Sequence, residues 1–322
     1  MRLADRWHKS SGLVLQAGDA QAVERYAAHQ LTVRRFAALL NFSYELIVFS
    51  ERESMRARHG NYSIGLWDWE ACVYAAKVHA MQRSVTQLLN ATREAHLGGS
   101  AASAWLIYVD LDAEHAGCSI EEFLRRMPSR AQQDGSPCAL IAQDTAVGVN
   151  SGFVALSADS MGAQLMDAWA TEQARVRVCE GPADQLALQS ALIRHFLRAR
   201  TTDGLPHFGP SWKPCWWGVD KYRRTLQYSH LAKVNSCFHD YLLKEGLPPD
   251  HRSRDGICLL PRTVRVNMHD YNDSWEPGDT FFHHHYSTLR GELRPQRWHA
   301  MRDAACAKEE TPRRGRAMGS RE

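Results

Sequence analysis

Two carboxylates one residue apart, Asp110 and Asp112, directly follow the apolar run Trp105–Val109 (WLIYV). Alternate residues of an extended segment point to the same side. Two like charges held together in this way repel unless a cation lies between them. Carboxylate oxygens are hard ligands suited to magnesium or manganese, and such ions are commonly shared with diphosphate oxygens. The plain alternative is a solvated turn or a helix cap. A second candidate is the run His283-His284-His285, which follows the strand-like Thr280-Phe281-Phe282. In an extended segment His283 and His285 form one set and His284 the other. Neutral imidazole ligates manganese and zinc. The plain alternative is a surface histidine cluster, or histidines packed against aromatics.

Three further groups offer polar chemistry. Gln143-Asp144 and Asn150-Ser151-Gly152 combine donors and acceptors suited to sugar hydroxyls, and Gly152 permits close backbone approach. The same residues favour β-turns. Asp184-Gln185 begins a helical pattern, where an acidic residue serves equally as an N-cap. Trp212, Trp216, Trp217 and Tyr222 bring flat rings with polar edges, which stack on sugar faces or build cores.

The elements that must position these residues are legible as alternating strands and helices. Gly12–Ala17 (GLVLQA) reads as a first buried strand ending at Gly18-Asp19, which sets Gln16 and Asp19 at its end as candidate substrate contacts. Residues 20–40 carry Val23, Ala27, Leu31, Phe36 and Leu39 at helical spacing. Tyr44–Phe49 reads as a second strand, residues 69–89 as a helix bearing Lys77, and Trp105–Val109 as a third strand. Its unbroken apolar character suits the centre of a parallel sheet. Ser119 and Glu122 form a capping box. Strands are expected at 139–142 and 152–156. Helices are expected at 160–174, with Leu165, Met166 and Trp169 on one side, and at 184–197. Residues 200–280 read as irregular with short strands. Strand–helix alternation predicts a doubly wound, mostly parallel α/β sheet with helices on both faces, and ligands bind beyond the carboxyl ends of such strands. Asp110 and Asp112 stand at that edge.

Composition narrows the function classes. A 322-residue chain with 44% hydrophobic and 23% charged residues has the proportions of a globular protein able to bury a large core. A net charge of +3 without a concentrated basic face gives no reason to expect a nucleic-acid partner. Only the tail near Arg313, Arg314 and Arg316 is locally basic, so one domain over 1–303 and a disordered tail over 304–322 are expected. No apolar run reaches the roughly 20 residues a membrane span requires. Residues 1–11 do not read as a secretory signal. Eight scattered cysteines without a CxxC pair argue against a structural zinc site and for buried thiols.

The order of these motifs carries a resemblance. Asn41–Tyr44, the helix with Lys77, Trp105–Ala113 (WLIYVDLDA), Asn150–Trp169, Asp184-Gln185 and Gly278–His283 resemble the ordered motifs of glycosyltransferase family 34. That family comprises plant xyloglucan xylosyltransferases and fungal α-galactosyl- and mannosyltransferases. The resemblance spans about residues 13–287. It implies a GT-A fold, a nucleotide-diphosphate sugar as donor, a glycan or other hydroxyl acceptor, manganese (or magnesium), retention of anomeric configuration, and a Golgi-lumenal setting. Carried over by position, Asp110 and Asp112 match the metal motif and His283 the further metal ligand. Asn150, Ser151, Gly152, Asp184 and Gln185 match the sugar and acceptor region, with Gln143 and Asp144 beside the transferred sugar. Lys77, Gln16, Asp19 and Trp217 are the remaining candidate substrate contacts. Asp144, Asp184 and Gln185 are the candidate catalytic residues. Three departures stand out: Phe42-Ser-Tyr-Glu45 and a longer insertion replace the family's His-Gly-Tyr, His284-His285-Tyr286-Ser287 replaces its Gly-Cys after the histidine, which makes His285 an alternative ligand, and Ser157 replaces its arginine. Rival readings are a metal-dependent hydrolase using His283, His285 and the aspartates, and an inactive carbohydrate-binding relative.

Overall fold

Along Ser11–Asp19 (β1), Leu15 and Ala17 enter one core while Val14 enters another, so this strand separates two apolar layers. A computed structural model of the chain describes residues 11–49, 73–97, 104–115, 139–143, 149–176, 183–192, 257–260, 267–269 and 282–284. After β1 come α1 (Ala20–Arg25), α2 (Ala27–Leu39), β2 (Ser43–Phe49), α3 (Val73–Leu97), β3 (Ala104–Val109) and β4 (Ala113–His115). Then follow β5 (Ala139–Gln143), β6 (Val149–Ser157), α4 (Ser160–Val176), α5 (Ala183–Ala191), β7 (Ile257–Leu260), β8 (Asn267–His269) and β9 (Phe282–His284).

Six strands form the main sheet in the order β2-β1-β3-β6-β5-β7. β1 pairs in parallel with β2 and β3, and β5 pairs in parallel with β7. Only β6 runs against its neighbours. Helices cover both faces. Val33, Phe36 and Ala37 of α2 pack with Val14, Trp105, Ile107 and Val109. Met81 of α3, Leu165, Met166 and Trp169 of α4, and Leu186 of α5 pack with Leu15, Leu106 and Tyr108 on the other face. This is the expected doubly wound, mostly parallel Rossmann-like α/β arrangement. A second sheet, β4-β9-β8, sits at the end of β3.

β1 is flanked by the strand that follows it and by the one after that. The strand order therefore reverses at β1 and β3, and the crevice beyond their carboxyl ends is the expected ligand edge. Asp19 ends β1 there, and Asp110 follows β3.

Three local features differ from the sequence expectation. The helix expected over 20–40 is interrupted at Tyr26, whose dihedrals (φ −104°, ψ 25°) leave the helical region. Its apolar face is rotated as well: His29, Val33, Phe36 and Ala37 are buried, whereas Leu31 is 67% exposed and Leu39 42% exposed. The strand expected to open at Gly152 begins at Val149. By contrast, Leu165, Met166 and Trp169 are fully buried together, as their spacing predicts. The capping box at Ser119, Cys258's seven fellow cysteines and the tail from 304 lie outside the described residues. No helix among the described residues is long and apolar enough to cross a membrane.

The turn from α2 into β2 depends on Asn41, which adopts φ 59°. The Phe42 amide donates to the Ala37 carbonyl at 2.9 Å and the Asn41 amide to that of Ala38 at 3.0 Å. This paired closure of the helix end needs a left-handed residue, which Asn tolerates. Asn41→Ala is expected to lower stability by about 1 kcal/mol and Asn41→Gly to leave it nearly unchanged. Urea denaturation of the two variants checks this order.

Candidate functional site

β3 lies in the sheet centre, with every residue from Ala104 to Val109 buried. Its chain then turns sharply. The Ala113 amide donates to the Asp110 carbonyl at 3.1 Å, which closes a β-turn over 110–113. The expectation that Asp110 and Asp112 point alike assumed an extended segment, so that reason does not apply to a turn. Two contacts fix the turn instead. The Asp110 amide donates to the Gly152 carbonyl at 2.9 Å, which ties the turn to β6. Leu111 at its apex packs so closely on Gly18 of β1 that a Cβ there would collide with Leu111 Cδ1.

Lys77 of α3 joins three distant parts of the sequence. Its Nζ lies 2.8 Å from Asp110 Oδ1 and 2.5 Å from Asp184 Oδ2, and 4.7 Å from the centroid of the Tyr108 ring. Lys77 is 6% exposed and Asp184 2%. Burial alone lowers the Lys77 pKa, but the Asp110 and Asp184 charges and their hydrogen bonds outweigh it and hold the ammonium above its ordinary value. Tyr108 is shifted upward by burial first and then by Asp110, Asp184 and Asp112. Asp184 is the second residue of α5, and its carbonyl accepts from Trp169 Nε1 at 2.9 Å. Gln185 beside it is also buried.

The opposite side of the turn is held by Gln16. Its side chain is fully buried, with Nε2 donating to the Asp110 carbonyl at 3.0 Å and Oε1 accepting from the Tyr44 hydroxyl at 2.9 Å. Burial pushes Tyr44 up to about 12, with Arg34 pulling the other way. Asp19 caps α1 by accepting from the Ala22 amide at 2.8 Å. Asn150 and Ser151 are buried in β6, and Asn150 Oδ1 accepts from the Gly152 amide at 2.6 Å. Here the β5–β6 register jumps from Ile141↔Val154 to Ala142↔Asn150, so Ser151, Gly152 and Phe153 form a bulge at the end of β3.

The histidine run meets the turn through the small sheet. β9 pairs antiparallel with β4, setting His284 opposite Ala113, His283 opposite Glu114 and Phe282 opposite His115. The strand bearing His283 and His284 thus lies along the segment that leaves Asp112. Asp112 itself is partly buried. It contributes, after burial, to raising the Tyr26 pKa, so Tyr26 at the helix interruption faces the same charge. Sequence periodicity gives no sign of Tyr26, since neither glycine nor proline marks the break.

The structure therefore brings Lys77, Asp110 and Asp184 into contact, and sets Gln16, Asp19, Asn150, Ser151 and Gly152 around the same strand ends. Gln143 ends β5 opposite Val149. Asp144, Trp217 and His285 lie outside the described residues, as do the side chains of Gln143, His283 and His284. Among the described residues no group of three or more His, Cys, Asp or Glu forms a metal cluster.

No protein-family model matches this chain, and no curated protein matches it. Among solved structures it is similar to a glycosyltransferase involved in the glycosylation of the major capsid of PBCV-1. The likeness has 8% identity and a TM-score of 0.41, over 90% of this chain and 98% of that one.

Two expected outcomes follow from the buried ion pair. Lys77→Met leaves two acidic groups facing each other without their cation and should cost about 3–5 kcal/mol, read by urea denaturation at neutral pH. The alkaline limb carries the second. Lys77 and Tyr44 both hold their protons more tightly folded than at their ordinary values of 10.5 and 10.0. Their contribution is fully present below those values and is lost as pH rises through the folded ones, because the unfolded chain then binds fewer protons. Unfolding midpoints should be flat up to about pH 9.5 and fall above about pH 10, with a shallower fall in Tyr44→Phe.

Proposed function

We propose that the chain is a metal-dependent glycosyltransferase of GT-A type. It would move a hexose or pentose from a nucleotide-diphosphate sugar to a glycan or other hydroxyl acceptor, with the retention that the sequence resemblance implies. One observation carries this reading: the turn with Asp110 and Asp112 stands at the carboxyl end of β3, beside β1 at the strand-order reversal, and the histidine strand β9 pairs with the segment that follows it.

The donor set fits a hard divalent ion. Asp112 is a partly buried carboxylate on a turn, and imidazole from the 283–285 run is the second donor type. Asp112 with His283 or His285 would hold manganese or magnesium. Asp110, whose carboxylate meets Lys77, anchors the turn, and by the sequence resemblance it belongs to the metal motif as well. Bound there, the ion supplies charge neutralisation for the departing diphosphate.

The chain's own groups do the rest. Lys77 holds Asp184 at the floor of the site, where its negative charge suits a sugar that becomes cationic as the bond to diphosphate breaks. By the sequence resemblance Asn150, Ser151 and Gln185 would supply polar contacts to the sugar and acceptor, and Trp217 a stacking surface for the acceptor. Asp144 keeps its role beside the transferred sugar on sequence alone.

The test is turnover of nucleotide sugars with manganese by wild type and Asp112→Ala. Loss of several kcal/mol of transition-state stabilisation corresponds to a rate drop on the order of a thousandfold. Manganese-dependent turnover unchanged in Asp112→Ala would overturn the assignment. Hydrolysis of simple phosphoesters or acyl esters in place of transfer would favour the hydrolase instead.

A further inference from the structure

The segment that leaves Asp112 is held on its α2 side by an aromatic cluster that polar chemistry does not explain. Phe282 is fully buried. Its ring meets Phe36 of α2 edge-on at 5.0 Å and 83°, Phe153 of β6 at 5.2 Å and His115 of β4 at 5.7 Å. Phe36 and His115 also meet, at 4.9 Å. The His115 amide donates to Thr32 Oγ1 of α2 at 2.9 Å, which fastens β4 to the same helix. Phe153 is the neighbour of Gly152, whose carbonyl receives the Asp110 amide. One ring therefore touches the helix, the sheet centre and the strand after the turn.

β4 and β9 are three residues each. β9 pairs with β4 on one side and with the equally short β8 on the other, and ladders this short depend on side-chain burial for their register, because a slip by one residue exchanges the two faces of the strand. A slip in one direction would put His283 in the place of Phe282, and a slip in the other would put Phe281 there. Burial of the ring among three aromatic partners opposes the first exchange. Phe282 immediately precedes His283, so the register it sets is the register of the histidine run relative to Asp112.

We propose that Phe282 is a positioning residue: lodged between Phe36, Phe153 and His115, it fixes β9 against β4 and so sets the histidine run beside the Asp112 turn. The inference rests on the metal-dependent function proposed above. It goes beyond it by assigning the fixation of the imidazole donors to an apolar side chain that touches no ligand.

The experiment compares Phe282→Ala, Phe282→Leu and Leu165→Ala, the last in the opposite core on α4. Manganese affinity of the full chain is measured by calorimetry, and amide hydrogen exchange is followed at 113–115 and 282–284. Phe282→Ala is expected to weaken manganese binding at least about tenfold, with Phe282→Leu showing a smaller loss of the same sign. Leu165→Ala should leave binding within about twofold at a comparable drop in Tm. Protection at 113–115 and 282–284 should fall in the Phe282 variants and hold in Leu165→Ala. Folded Phe282 variants that bind manganese like wild type overturn the proposal. A wild type without manganese affinity overturns the function instead, and hydrogen exchange then decides the register assignment by itself: unchanged protection in both Phe282 variants refutes it. Should Phe282→Ala not fold, Phe282→Leu carries both readouts.

Discussion

Lys77 carries its charge where little water reaches, and the carboxylates of Asp110 and Asp184 keep it charged there. Burying Lys77 and Asp184 is costly, and the attraction among the three charges offsets the cost only when the geometry is close and hydrogen-bonded. Distances of 2.8 and 2.5 Å meet that condition. Helix α3, the turn after β3 and the start of α5 are thereby held together at one point. The rest of the site is arranged around that point. The Trp169 indole steadies the carbonyl of Asp184, and Tyr108 presents its ring to the ammonium from the floor of the sheet.

The two faces of the sheet secure the Asp110–Asp112 turn by different means. On the face of α3, α4 and α5 the hold is ionic. On the α2 face it is polar and then apolar: Gln16 spans from Tyr44 to the Asp110 carbonyl, and Phe282 closes the aromatic cluster behind β4. Between them Leu111 fills the space left by Gly18. A turn fixed from both sides can present Asp112 to a ligand with little reorganisation, which is what an electrostatic site requires.

Much of this was legible in the sequence. Central strands declare themselves through unbroken apolar runs such as Trp105–Val109, and α4 through the spacing of Leu165, Met166 and Trp169. Those signals come from burial, which dominates the choice of residue. The contact of Lys77 with Asp110 and Asp184 was not legible as a contact, although each residue was singled out, because partners 33 and 107 positions away leave no local periodicity. The interruption at Tyr26 has no glycine or proline to announce it, and the apolar Leu31 and Leu39 point outward while His29 points in. Tertiary packing overrides the local pattern there. The turn over 110–113 is the alternative that Asp110 and Asp112 themselves allow, and the choice between it and an extended segment rests on Gly152 and Gly18, which lie far away in the sequence.

In the proposed function a divalent ion and a nucleotide diphosphate would meet at the turn after β3 and beside β9. Paramagnetic broadening by manganese reads this directly. In the NMR spectrum of the full chain with a nucleoside diphosphate and substoichiometric manganese, the account predicts that the amide signals of residues 110–115, 18–19 and 282–284 broaden first. Broadening centred elsewhere in the chain, with these signals unaffected, would contradict it.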